Sequence, residues 1–203
     1  MDADLIAYGK ALQQYQAGDY GECIDVFLRL SSAGNAKSTF YAGVIYTKGN
    51  DGVERDEVKA RSMFGLAISQ SERFLPGAVL SLALMQYQGK GGPVDYVSAL
   101  KNYQTVKGNP FAQVMIGMMT LLGRGCEKND DAALQWFDRA WSNGHSWGLG
   151  CAARIRFRRG SYFRGALDWI RGAAMSIWFY GIRRIPPTKS PAEVLPQFWQ
   201  RRK

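Results

Sequence analysis

From residue 5 to about residue 180, apolar side chains recur every three to four positions, the period of an amphipathic α-helix. The periodic stretches run for about 12 residues, three to four turns each. Turn residues cut them at regular intervals: Gly89-Lys90-Gly91, Gly108-Asn109-Pro110, Gly123-Arg124-Gly125 and Asn143-Gly144. The pattern predicts pairs of helices. The first helix of a pair carries a small residue at its centre (Gly43, Ala83, Gly117), where a neighbouring helix can approach closely. A glycine-rich turn stops it, since glycine accepts positive φ at no steric cost. Asp56, Asp95 or Asp130 then stands where a cap or first-turn anion is favoured. The second helix places alanine on its inner face and an aromatic ring one turn on: Phe64, Tyr103, and Trp136-Phe137.

The pairs repeat. Ala42-Gly43-Val44-Ile45-Tyr46, Leu82-Ala83-Leu84-Met85-Gln86 and Ile116-Gly117-Met118-Met119-Thr120 align, as do the turns that follow them. The inner alanines Ala60, Ala99 and Ala133 are 39 and 34 residues apart, and Ala166 lies 33 further on. Shorter versions flank the three, one turning at Gly18-Asp19-Tyr20 and one at Gly160-Ser161-Tyr162. The expected organisation is five hairpins, at about 5–35, 36–75, 76–109, 110–145 and 146–183, making one solenoid over residues 1–184, and an arm over 185–203.

These motifs resemble the Sel1-like repeat family, relatives of the tetratricopeptide repeat. Residues 36–145 match the family pattern three times; the flanks resemble tetratricopeptide-type hairpins. Gln86 and Thr120 depart from it where an aromatic is usual, Cys126 stands for a valine, and the first unit has an extra residue in its turn. The resemblance implies an all-α, right-handed superhelix with a concave inner face. It also implies an adaptor that holds a protein partner and is not an enzyme. In such hairpins the first helix lines the concave face, which here points to Phe40, Val44 and Thr47, to Leu80, Leu84 and Tyr87, and to Val114, Met118 and Leu121. An apolar row of this kind suits an amphipathic helix from a partner or from the chain's own C-terminal segment. The other reading is that the solenoid closes on itself and these residues are core.

Charge changes the picture. The net charge of the 203 residues is +9. Residues 1–145 carry 14 basic and 15 acidic side chains; residues 146–203 carry 12 basic and only 2 acidic ones. Ten of those twelve are arginines, which suit bidentate contacts to phosphate or carboxylate. An apolar, aromatic run from Gly172 to Ile182 lies between Arg171 and Arg183-Arg184. It is too short to span a bilayer. The expected dock for an anionic lipid surface or a partner therefore comprises Arg154, Arg156, Arg158, Arg159, Arg164, Arg171, Trp178, Phe179, Tyr180, Arg183 and Arg184. The competing reading is a capping helix on the last hairpin. Pro186, Pro187 and Pro191 break any helix beyond it, and the arm ends in a basic tip, Arg201-Arg202-Lys203.

Catalytic and metal chemistry have little to build on. His145 is the only histidine and falls in a turn between repeats, where a surface position is expected. Cys23, Cys126 and Cys151 stand where small apolar residues belong, so inert thiols are expected and no cofactor or metal. The Gly-x-Gly turns follow helices and lack the strand and third glycine of a phosphate loop. With Met1 followed closely by two aspartates, no basic leader is visible, and a cytoplasmic location is expected, peripheral to the inner membrane surface. The function these features suggest is a non-enzymatic scaffold that binds a protein partner at a membrane face. A bacterial membrane-associated enzyme complex, such as one building envelope polysaccharide, is a host compatible with that role, though no motif of the sequence specifies it. The alternative is nucleic-acid binding by the arginines with interleaved aromatic rings.

Overall fold

A computed structural model describes residues 3–49, 52–71 and 75–177. Among them are ten α-helices: α1 (Ala3–Ala17), α2 (Tyr20–Ser32), α3 (Ala36–Lys48), α4 (Glu57–Gln70), α5 (Pro76–Gln88), α6 (Tyr96–Thr105), α7 (Pro110–Leu122), α8 (Asp130–Ser142), α9 (Trp147–Arg158) and α10 (Tyr162–Ile177). They pair in chain order as hairpins. The all-α solenoid read from the repeats is the observed fold. Trp178, Phe179, Tyr180, Arg183, Arg184 and the 185–203 arm lie outside the described residues.

Side-chain caps start the helices where the sequence puts Asx residues. Asp56 accepts from the Lys59 amide, Asp95 from Ser98, Asn109 from Phe111 and Ala112, and Asn129 from Ala132. In the third repeat the cap is thus Asn129, and Asp130 and Asp131 occupy the first turn, where the helix dipole favours anions. One backbone bond closes all three glycine-rich turns. The cap residue's amide donates back to the first helix: Asp56 to the Tyr46 carbonyl at 2.9 Å, Asp95 to Gln86 at 2.9 Å, and Asn129 to Thr120 at 3.0 Å. The bond uses only main chain, so it survives the loss of the aromatic at Gln86 and Thr120. The extra residue of the first turn is absorbed inside the loop it closes.

The chain forms two compact units, one through Val106 and one from Lys107. In the first, each of α1 to α5 packs on its successor. Its core joins Ala11, Cys23, Phe27, Ala42 and Ile45 in one cluster and Ala60, Phe64 and Met85 in another. The turn after α5 lies directly on α4. Gly91 has φ 67°, and a Cβ there would sit 2.0 Å from the Glu57 carbonyl oxygen. Only glycine fits that close approach. Arg61 of α4 donates to the Pro93 carbonyl at 3.0 Å and holds the turn down.

In the second unit α7 packs on α8, α8 on α9 and α9 on α10, and α7 also touches α9. Every residue of α7 from Ala112 to Leu121 is buried. Its two buried polar side chains are satisfied, Gln113 donating to the Lys107 carbonyl and Thr120 to that of Ile116, both at 2.8 Å. A helix otherwise apolar all round belongs inside a core, not on a surface.

Candidate interaction surfaces

The apolar row divides. Tyr87, Val114, Met118 and Leu121 are buried. The last three share a core with Ala133, Phe137, Ala140, Cys151, Ala152 and Ile155, contributed by α8 and α9. They form core rather than an open groove, because α9 of the following hairpin packs on them. Tyr87 is covered by Tyr96, whose ring centroid lies 5.4 Å away. Phe40 and Val44 are half-buried against the Phe64 and Met85 cluster. Thr47 is half-buried and donates to the Gly43 carbonyl at 2.8 Å. Leu80 and Leu84 of α5 are half-buried as well.

The arginines divide too. Three of them meet acids that the sequence sets far away. Arg156 bridges α8 and α10: one guanidinium nitrogen reaches Asp138 at 3.0 Å and the other Asp168. Arg158 pairs with Asp130, and Arg159 with Asp131 at 2.6 Å. The segregation of charge along the chain is therefore partly cancelled in space. Opposite charges and hydrogen bonds raise the pKa of Arg156 against the desolvation that opposes it. Arg154, Arg164 and Arg171 remain exposed.

Two features suit a partner. The first is a concave cavity of about 520 Å³ in the second unit, with Leu121, Leu122 and Ile155 as its floor and Lys128, Arg154 and Arg158 around it. The sequence reading missed Leu122, Lys128 and Ile155. Lys128 comes from the α7–α8 turn and the others from α7 and α9, elements whose adjacency no local pattern reveals. The second is the outer side of α10, where Tyr162, Phe163, Leu167, Trp169 and Ile170 are exposed. The 3.6-residue period of Phe163, Leu167 and Ile170 was the available signal for it.

His145 is half-buried, not a surface residue. It lies 5.5 Å from the Trp147 ring and 6.4 Å from that of Phe111. Its Nδ1 is buried with no hydrogen-bond partner among the described residues, and burial lowers its pKa. Cys23 and Cys151 are buried and Cys126 half-buried. Desolvation pushes the Cys151 thiol up to about 12, far from a reactive thiolate at neutral pH. Among the described residues no helix is long and apolar enough to cross a membrane.

Stacked α-hairpins with repeated turns define a helical repeat protein. The Sel1 repeat model matches residues 36–72, 76–105 and 110–145, and the chain belongs to the Sel1 repeat family. It is similar to an exopolysaccharide production negative regulator of Rhizobium leguminosarum bv. viciae, 27% identical over 175 residues, covering 80% of this chain and 64% of that protein. A protein of the same description in Rhizobium meliloti (strain 1021) is 25% identical over 166 residues, covering 74% of this chain and 61% of the relative. The chain thus spans less than two thirds of the length of either. Among solved structures, a Sel1 repeat protein from Oxalobacter formigenes superposes with a TM-score of 0.70 at 25% identity, covering 82% of this chain and 69% of its own.

Proposed function

We propose that the chain is a non-enzymatic adaptor that holds a protein partner and through it regulates exopolysaccharide production, at a membrane surface. The observation that carries this reading is the cavity of the second unit. An apolar floor with Lys128 and Arg154 at its rim, where Arg158 is already paired with Asp130, suits a partner segment that presents an acidic side chain beside an apolar one. The family and the printed description of the two rhizobial relatives supply the regulatory role. Nucleic-acid binding is the weaker reading, because Arg156, Arg158 and Arg159 already face carboxylates that would have to be displaced.

The test pairs affinity capture with a genetic measurement. The full chain and its Lys128→Glu/Arg154→Glu variant are used as bait, and secreted polysaccharide is measured in cells carrying each in place of the native gene. The expected result is a protein captured by the native chain and lost with the variant, and altered polysaccharide with the same variant. Unchanged polysaccharide on complete deletion of the gene sinks the proposal.

A further inference from the structure

We propose that the outer face of α10 is an interfacial lipid-binding surface for an anionic bilayer. This deepens the membrane-surface part of the proposed function and rests on that part alone. Phe163 is 82% exposed, Ile170 57% and Leu167 37%, and Ala174 is exposed beside them. At spacings of three and four, the four residues form one apolar stripe along the helix. Helical geometry sets Arg164 and Arg171, seven apart, along one edge of the stripe. It sets Tyr162 (69% exposed) and Trp169 (62%), also seven apart, along the other. The opposite side of the helix faces α9: a Cβ on Gly165 would lie 3.1 Å from the Phe157 ring, and Asp168 is buried against Arg156.

Asp168 is the only acid in α10, and its pairing with Arg156 turns it inward. What remains outside is apolar, aromatic and cationic. That is the composition of a helix lying in a membrane interface, with the stripe below the headgroups, Trp and Tyr at their level and arginines on anionic lipid. Charge also argues against two other occupants. Residues 178–203 carry Arg183, Arg184, Lys189, Arg201, Arg202 and Lys203 against the single acid Glu193. A segment so basic is repelled from a cationic face. A second copy of α10 would set Arg164 and Arg171 against their own kind.

The test uses the purified full chain, with no partner present. It is sedimented with vesicles of phosphatidylglycerol and phosphatidylethanolamine and, separately, of phosphatidylcholine. The native chain is expected to pellet with the anionic vesicles only. Arg164→Ala/Arg171→Ala should weaken that binding roughly 30-fold. Phe163→Ser/Ile170→Ser should weaken it about tenfold or more. Both pairs are exposed, and circular dichroism checks that each variant folds; if the apolar pair does not, the arginine pair decides. Failure of the native chain to pellet overturns the inference. So does equal binding by native chain and variants, which would assign lipid binding to the basic residues beyond 177. So does capture of an acidic protein through this face without any vesicle binding. Polysaccharide regulation that persists without vesicle binding removes this inference and leaves the adaptor; vesicle binding without regulation does the reverse.

Discussion

The aromatic ring of Phe137 rests on the backbone of Gly117: a Cβ at Gly117 would lie 2.7 Å from a ring carbon. The pair fixes how closely α7 and α8 approach. The same relationship recurs between Gly43 and Phe64 in the first unit, where the distance would be 2.9 Å. Both rings are buried. Gly117→Ala is therefore expected to destabilise by about 2 kcal/mol through overpacking, lowering Tm by several degrees on the usual scale of roughly 2–4 °C per kcal/mol. Phe137→Ala should cost more, about 3–5 kcal/mol, by opening a cavity. Thermal unfolding followed by circular dichroism checks both, and a neutral Gly117→Ala would show that the helices can part freely.

The second and third glycine-rich turns should respond unequally to alanine. Gly91 combines φ 67° with an approach of 2.0 Å to the Glu57 carbonyl, whereas Gly123 has φ 66° but no neighbour nearer than 3.3 Å. Gly123→Ala then meets mainly left-handed strain, about 1 kcal/mol. Gly91→Ala must also move the turn off α4. We expect urea midpoints in the order native, Gly123→Ala, Gly91→Ala; equal midpoints would contradict the packing described for that turn.

Arg156 and Arg158 make similar pairs in different surroundings. Arg156 serves two carboxylates, and Asp168 is buried behind it. Its loss strands a buried charge, so Arg156→Ala should destabilise by about 3 kcal/mol. Arg158 is more exposed, and Arg158→Ala should cost only about 0.5 kcal/mol. A double-mutant cycle of Arg156 with Asp168 should return a coupling well above that of Arg158 with Asp130.

Acid should weaken the fold through His145. Its imidazole is held below the ordinary 6.5 by burial. As pH falls through that value, the unfolded chain takes up a proton before the folded one does. The contribution to stability is therefore complete above about pH 6.5 and shrinks as pH drops, until the folded imidazole also protonates. Urea midpoints of the native chain and His145→Gln, compared at about pH 7.5 and about pH 5.5, should show the smaller acid loss in the variant.

The thiols should be separable by a single reagent. Cys126 is half-buried, while Cys23 and Cys151 are buried. In the folded chain an aromatic disulfide reagent should titrate Cys126 promptly and reach the other two only on unfolding. Prompt reaction of all three would mean that both cores open readily.

The repeats, the hairpins and the small residues at close helix approaches were legible in the sequence because each depends on residues close together in the chain; which ring fills the approach at Gly43 and Gly117 was not. Asp56, Asp95 and Asn109 cap the helices that follow them, and Gly117 and Phe137 sit at matched places in one hairpin. Helical period, cap chemistry and the absence of a Cβ act locally and leave a mark at fixed spacings.

Tertiary structure decided the surfaces. The arginine-rich segment looked like one cationic face, yet stacking α9 and α10 on α8 brought Asp130, Asp131, Asp138 and Asp168 to Arg156, Arg158 and Arg159. Val114, Met118 and Leu121 looked like either a groove or a core until α9 was seen to cover them. Helical periodicity says which side of a helix is apolar, but not which neighbour lies against it. That neighbour comes from a hairpin some thirty residues away, and its position follows from how closely successive hairpins pack, a distance no local pattern carries.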